Sequence, residues 1–229
     1  MAKIMISPSC LYGCLSTDQT HFDDAEKISE KNMLKFKIIK LFIYLGYSDG
    51  EKAIIGIGCT YKNLLSGNTM NIINKSKTEV EEIKEMDIKG NECLKKLNIQ
   101  MDSICSFTNL AFLTNKNNKL SFGKQEGRNR IIYDDDTKDN IILGFFGSFS
   151  KKLESIGFYS TKRQYIFISY FYGLFSLKYK SNKDKNFRNI WDKKFKELPI
   201  DYKFLWKAVN LPDNCKYSFY LIIKYLSPF

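Results

Sequence analysis

Two β-prone runs joined by Ser48-Asp49-Gly50 place the firmest limit on how this chain folds. Met33 to Tyr47 is dense in apolar residues, and a second run follows from Ala53 to Tyr61. Asp-Gly between such runs predicts a tight hairpin, because both turn positions tolerate positive φ. In Lys35-Phe36-Lys37-Ile38 polar and apolar residues alternate, as a half-buried strand requires. The alternation slips at Ile39, which predicts a bulge or burial on both faces. Gly56 and Gly58 in the return strand mark places where another backbone or a ring packs close.

Similar short runs recur downstream. Thr69 to Ile73 is compatible with a strand, whereas Lys75 to Glu85 is charged and reads as a solvated loop or short helix. Ile99 to Thr114 reads as strands, and its apolar parity changes between Cys105/Phe107 and Leu110/Phe112, which again fits a bulge. Asn115 to Lys119 supplies a turn and Lys119 to Phe122 the return. Ile131 to Tyr133 is a short strand closed by the acidic triplet Asp134-Asp135-Asp136, a solvated turn more than a cation site. Ile141 to Phe146 and Leu153 to Ser160 complete the ladder. Short strands with frequent turns argue for an all-β sandwich, barrel or prism. A hydrophobic fraction of 44%, with 15% aromatic residues, is enough to fill its core.

After Ser160 the character changes. Tyr165 to Tyr179 is apolar on both parities and reads as one or two buried strands broken near Gly173. From Asp184 to Leu198 the residues Phe187, Ile190, Trp191, Phe195 and Leu198 recur at helical spacing, with Asp184 as N-cap and Pro199 as stop. Phe204 to Val209 suggests a second short helix, and Tyr217 to Leu226 fits a strand or a helix equally. The expected organisation is therefore a β domain over residues 1–160 and a basic, aromatic-rich α/β extension over 161–229. The extension holds 14 basic and 5 acidic residues, against 22 and 20 in residues 1–160. Most of the net charge of +11 thus belongs to it.

A basic surface favours acidic partners, although lysine-rich composition also simply keeps a protein in solution. Lysines interleaved with aromatics, as in Lys178-Tyr179-Lys180 and Lys203-Phe204, raise nucleic acid as a partner. No nucleic-acid motif accompanies them and arginine is scarce, so nucleic acid is not the expected ligand. Trp191 and Trp206 are candidate anchors for docking on protein subunits of a larger assembly, and core packing serves them equally well. The longest apolar stretch, Tyr165 to Leu177, is shorter than the ~20 residues of a membrane helix. The first twelve residues lack the apolar centre of a secretory leader, which leaves a cytoplasmic address and reduced thiols for the six cysteines as the expectation. Cys10, Cys14 and His21 fall short of the four ligands of a closed zinc site. The Asn74-Lys75-Ser76 sequon matters only for a secreted chain. Hydrolase, kinase, P-loop and dinucleotide motifs are missing, so neither catalysis nor a cofactor is expected.

Taken in order, His21-Phe22-Asp23-Asp24, the Ile38–Tyr61 hairpin, Phe112-Leu113-Thr114-Asn115 and Ile142-Leu143-Gly144-Phe145-Phe146-Gly147 resemble segments of the jacalin-related lectins. His21-Phe22-Asp23-Asp24 is similar to that family's early Phe-Asp-Asp segment, and the Ile38–Tyr61 hairpin to its first long strand pair. Gly90-Asn91-Glu92-Cys93-Leu94, followed by Leu97, resembles its Glu-aromatic-Ile strand. Phe112-Leu113-Thr114-Asn115 resembles its Leu-x-Phe-x-Thr-Asn strand, and Ser121-Phe122-Gly123 the Phe-Gly that follows. The fullest match is Ile142-Leu143-Gly144-Phe145-Phe146-Gly147, continued by Leu153 to Tyr159. Together these segments cover about residues 10–160. The resemblance implies a mainly β fold, a β-prism of three Greek-key sheets around an apolar axis. It also implies a sugar site in which a Gly-x-x-x-Asp loop and a glycine-rich N-terminal loop present backbone N–H groups and one carboxylate to sugar hydroxyls. Here that loop reads Ser150-Lys151-Lys152-Leu153-Glu154, with serine for glycine and glutamate for aspartate, and only Gly13 remains of the N-terminal glycines. Gly13, Lys151, Lys152 and Glu154 are accordingly the candidate carbohydrate-binding residues. The plainer alternative is a structural turn whose carboxylate pairs with a lysine. A glycan or, alternatively, a protein assembly is the expected partner.

Overall fold

The computed structural model describes residues 6–14, 18–90, 92–101, 107–123, 129–133 and 140–162, with the last strand but two, 129–133, described as backbone only. The expectations for the extension, including Trp191 and Trp206, lie outside the described residues. Among those described, thirteen strands run in order: β1 Ser7–Pro8, β2 Tyr12–Gly13, β3 Thr20–Asp23, β4 Phe36–Ser48, β5 Glu51–Asn63, β6 Thr69–Lys75, β7 Glu82–Asp87, β8 Leu94–Met101, β9 Phe107–Thr114, β10 Lys119–Gly123, β11 Asn129–Tyr133, β12 Asn140–Phe149 and β13 Leu153–Lys162. Two short helices, α1 Asp24–Ile28 and α2 Glu30–Met33, lie between β3 and β4. No helix of the described residues is long and apolar enough to cross a membrane.

The strands form three sheets with the orders β6-β5-β4-β7, β10-β9-β8-β11 and β1-β13-β12-β3, β2 joining the last through β13. In the first two, three hairpin-linked strands are followed by a fourth that returns beside the first, which is the Greek-key pattern. The third sheet gathers both ends of the described chain. Among the described residues, β2 makes this sheet five-stranded where the other two have four.

Local chemistry accounts for these elements. Asp49 and Gly50 adopt φ of 55° and 83°, the double left-handed turn expected of Asp-Gly between long strands. The bulge read at Ile39 is present, since the β4–β5 register shifts between Ile38 and Lys40. A further shift lies between Gln100 and Met101 in the β8–β9 pair. At Gly58 a Cβ would stand 3.2 Å from the Tyr44 ring, so a ring does pack close there. The Lys75–Glu85 expectation needs correcting: Glu82–Asp87 is strand β7, paired with β4. Backbone pairing with β4 and the buried Met86 hold it, while exposed ion pairs, Lys40 to Glu85 at 2.9 Å and Lys52 to Glu82, stand where other strands show apolar alternation. Asp23 caps α1 by accepting the Ala25 N–H at 2.7 Å.

The inward faces of the three sheets share one apolar interior. Leu41, Ile43 and Leu45 of β4, Ile57 and Tyr61 of β5, Leu97 and Ile99 of β8, Leu110 and Phe112 of β9, Phe145 of β12 and Ile156 and Phe158 of β13 are all buried in it. Phe112 and Phe145 meet edge to face across two sheets at 5.4 Å. Each sheet buries one face against the other two, which makes this body a β-prism.

Candidate functional site

The β12–β13 hairpin carries the candidate loop at its turn, with Phe149 ending one strand and Leu153 opening the next. The backbone N–H of Ser150 donates to the Lys152 carbonyl at 3.1 Å and closes the turn. Ser150 does not occupy the left-handed region, which among described non-glycine residues holds Ser29, Asp49 and Asn117. Serine therefore sits here without the strain that replacing a glycine suggests. Its hydroxyl donates to Glu154 Oε1 at 2.5 Å. Glu154 is half-buried, as are Ser150 and Lys152, while Lys151 is exposed.

Gly13 stands directly against this loop. Strand β2 pairs with β13 in the register Gly13 to Ser155 and Tyr12 to Ile156. The Cys14 N–H donates to the Glu154 carbonyl at 3.0 Å. With φ of +120°, Gly13 passes so close that a Cβ would lie 2.0 Å from the Glu154 carbonyl oxygen. Only glycine fits such an approach. Gly13, Lys151, Lys152 and Glu154, more than 130 residues apart in sequence, are thus brought into one locality.

Two other loops close on it, and neither approach was visible in the sequence. Ser76 and Thr78, in the segment between β6 and β7, both donate their hydroxyls to the Lys151 carbonyl, at 3.1 and 2.7 Å. The Thr78 N–H in turn donates to Ser76 Oγ at 3.2 Å. Asp49, on the β4–β5 turn, meets Lys151 Nζ at 3.1 Å. That hydrogen bond, with the positive charge behind it, holds the Asp49 carboxyl below its ordinary value. The plainer alternative paired the loop carboxylate with a lysine; the structure pairs Glu154 with Ser150 and gives Lys151 to Asp49. Behind the loop, Gln19 donates to the Cys14 carbonyl at 3.2 Å and accepts from Ser148 Oγ at 2.8 Å, tying the N-terminal segment to β12. A Ser-x-Thr placed just past a strand is a local signal for a hydroxyl-bonded turn, but nothing local announces that it will meet Lys151.

Other candidates are settled by their surroundings. Cys14 is disulfide-bonded, which corrects the expectation of six reduced thiols; Cys10, Cys59 and Cys93 are free. Disulfide pairing depends on which cysteines the fold brings together, and spacing along the chain does not reveal it. Asn74 of the sequon is buried, donating to Asp24 at 2.9 Å and accepting from Lys27, so its amide is committed to the interior. No group of metal-binding side chains occurs among the described residues.

Comparison with known proteins gives this geometry a family. The model for the jacalin-like lectin domain matches residues 20–159, more than half of the chain. No curated protein matches. Among solved structures, the Calystegia sepium agglutinin aligns with a TM-score of 0.51 at 17% identity, covering 69% of this chain and 97% of its own. A mannose-binding jacalin-related lectin from Ananas comosus aligns at 0.50 and 15%, covering 69% and 98%. Artocarpin, solved as its mannotriose complex, aligns at 0.51 and 16%, covering 68% and 97%. At such identity the structures speak for the fold alone; together with the domain match and the three sheets, they place the chain in the jacalin-like lectin domain family.

Proposed function

We propose that this protein is a non-catalytic, lectin-like module that binds a mannose-containing glycan at the turn of the β12–β13 hairpin. The observation that carries the reading is the packing of Gly13 against the Glu154 carbonyl, which leaves the Glu154 side chain at the meeting point of two chain segments. A carboxylate there accepts charge-assisted bonds from vicinal sugar hydroxyls. The fixed turn, closed on itself and bonded to Ser76 and Thr78, supplies the preorganisation that a weak polar ligand requires. The choice of sugar is taken from what the Ananas comosus lectin and artocarpin bind on the same fold.

Calorimetric titration with mannotriose and with other oligosaccharides tests it. Saturable binding is expected, and it disappears in Glu154→Ala while the melting transition is kept. Absence of binding at millimolar sugar, both by the unaltered chain and by Ser150→Ala, rules the reading out.

A further inference from the structure

Resting on that reading, we infer that the Ser150 hydroxyl is a built-in competitor for the ligand: it occupies the Glu154 carboxylate in the way a sugar hydroxyl would, and so sets the affinity of the site. Ser150 Oγ stands 2.5 Å from Glu154 Oε1, an O–H to carboxylate bond of the short, charge-assisted kind. Two features keep it in place. The turn is locked, because Ser150 N–H bonds the Lys152 carbonyl and the Lys151 carbonyl takes hydroxyls from both Ser76 and Thr78. The Glu154 main chain, at the bulge of the β12–β13 pair, is tied through its carbonyl, which accepts the Cys14 N–H at 3.0 Å. A ligand therefore gains Oε1 when Ser150 Oγ rotates away or the Glu154 side chain turns.

The same geometry distinguishes this loop from a simple reactive edge. A glycine or alanine at position 150 carries no hydroxyl, so both carboxylate oxygens face the ligand; with serine, one is already taken. The extra methylene of glutamate lets the carboxylate fold back onto Ser150 within a single turn. The site is consequently held in a self-bonded state, with affinity below what its carboxylate alone permits. A hydrogen bond to a charged group contributes on the order of tenfold in an equilibrium constant.

The test uses the full chain and isothermal titration with mannotriose. Ser150→Ala is expected to tighten binding by about three- to tenfold, Ser150→Thr, which keeps a hydroxyl, to bind like the unaltered chain, and Glu154→Ala to bind nothing. Binding seen in Ser150→Ala but undetectable in the unaltered chain also supports the inference. If the unaltered chain binds and Ser150→Ala binds equally or more weakly, the inference is overturned while the glycan reading stands. If neither binds although both melt cooperatively, the glycan reading fails and the inference with it.

Discussion

Two buried carboxylates with opposite titration behaviour decide much of the local stability. Asp24 is 1% exposed and takes three donors: Tyr61 OH at 2.5 Å, Phe145 N–H at 3.0 Å and Asn74 Nδ2 at 2.9 Å. Burial pushes its pKa above the ordinary 3.8 in spite of those bonds. Asp24→Asn replaces an acceptor with a donor in front of the Phe145 N–H. We expect a loss of about 2–4 kcal/mol in urea unfolding at neutral pH, because buried donors are left unmatched. Glu92 is 3% exposed; burial alone raises its pKa, yet the Thr114 hydroxyl, the Asn118 amide and the Lys89 N–H together hold it below the ordinary 4.5. Its folded pKa is depressed, so its contribution is complete above about pH 4.5 and is lost as pH falls through the folded value. Glu92→Gln is expected to cost about 1–2 kcal/mol near neutrality. Urea midpoints followed downward from pH 7 check this, since the gap between the two proteins narrows as pH falls through the folded value. For Asp24 the sign reverses: its proton linkage favours folding fully below pH 3.8 and that part is lost as pH rises through the raised folded value, so at neutral pH the cost of Asp24→Asn lies in the unmatched donors alone.

At the scale of elements, the decisive contact is the two-residue strand β2 against β13. Gly13→Ala forces a Cβ to within 2.0 Å of the Glu154 carbonyl oxygen at a backbone angle that side chains avoid. The expected result is loss of the Cys14 N–H to Glu154 bond, seen as faster amide exchange at Cys14, with mannotriose binding weakened about tenfold or more. The melting temperature changes little, because β2 lies at a sheet edge. Unchanged exchange and affinity would show that β2 does not support the loop. Elements differ in how plainly the sequence announces them, for physical reasons. The Asp49-Gly50 hairpin and the slip at Ile39 were legible because turn chemistry and side-chain alternation are local. Strand β7 was misread because Glu85 and Asp87 face outward beside Lys40 of β4 and Glu82 pairs with Lys52 of β5, which leaves Met86 as its one buried side chain and no apolar period to read. The helices α1 and α2 are too short to display a period at all. Of the site, Gly13 and the 150–154 loop were legible through their family pattern. Ser76, Thr78 and Asp49 were not, since they reach Lys151 only after two other hairpins have folded.

Across the prism as a whole, stability rests on rings contributed by different sheets to one axis. Phe112 belongs to β9, Phe145 and Phe158 to the β12–β13 pair and Tyr61 to β5, and all four have no measurable exposure. A sheet taken alone exposes its inward face, so the three fold together or not at all. Truncating a ring at the axis removes packing from two sheets at once. Phe112→Ala is expected to cost about 3–5 kcal/mol, a large share of the 5–15 kcal/mol typical of a folded domain. The loss is also expected to be global. Denaturant unfolding of Phe112→Ala, followed by amide exchange at Ile57, Ile99 and Ile156, one probe per sheet, then shows equal losses of protection at all three. A fall confined to Ile99, with Ile57 and Ile156 protected as before, means that the sheets stand independently and that the axis does not couple them.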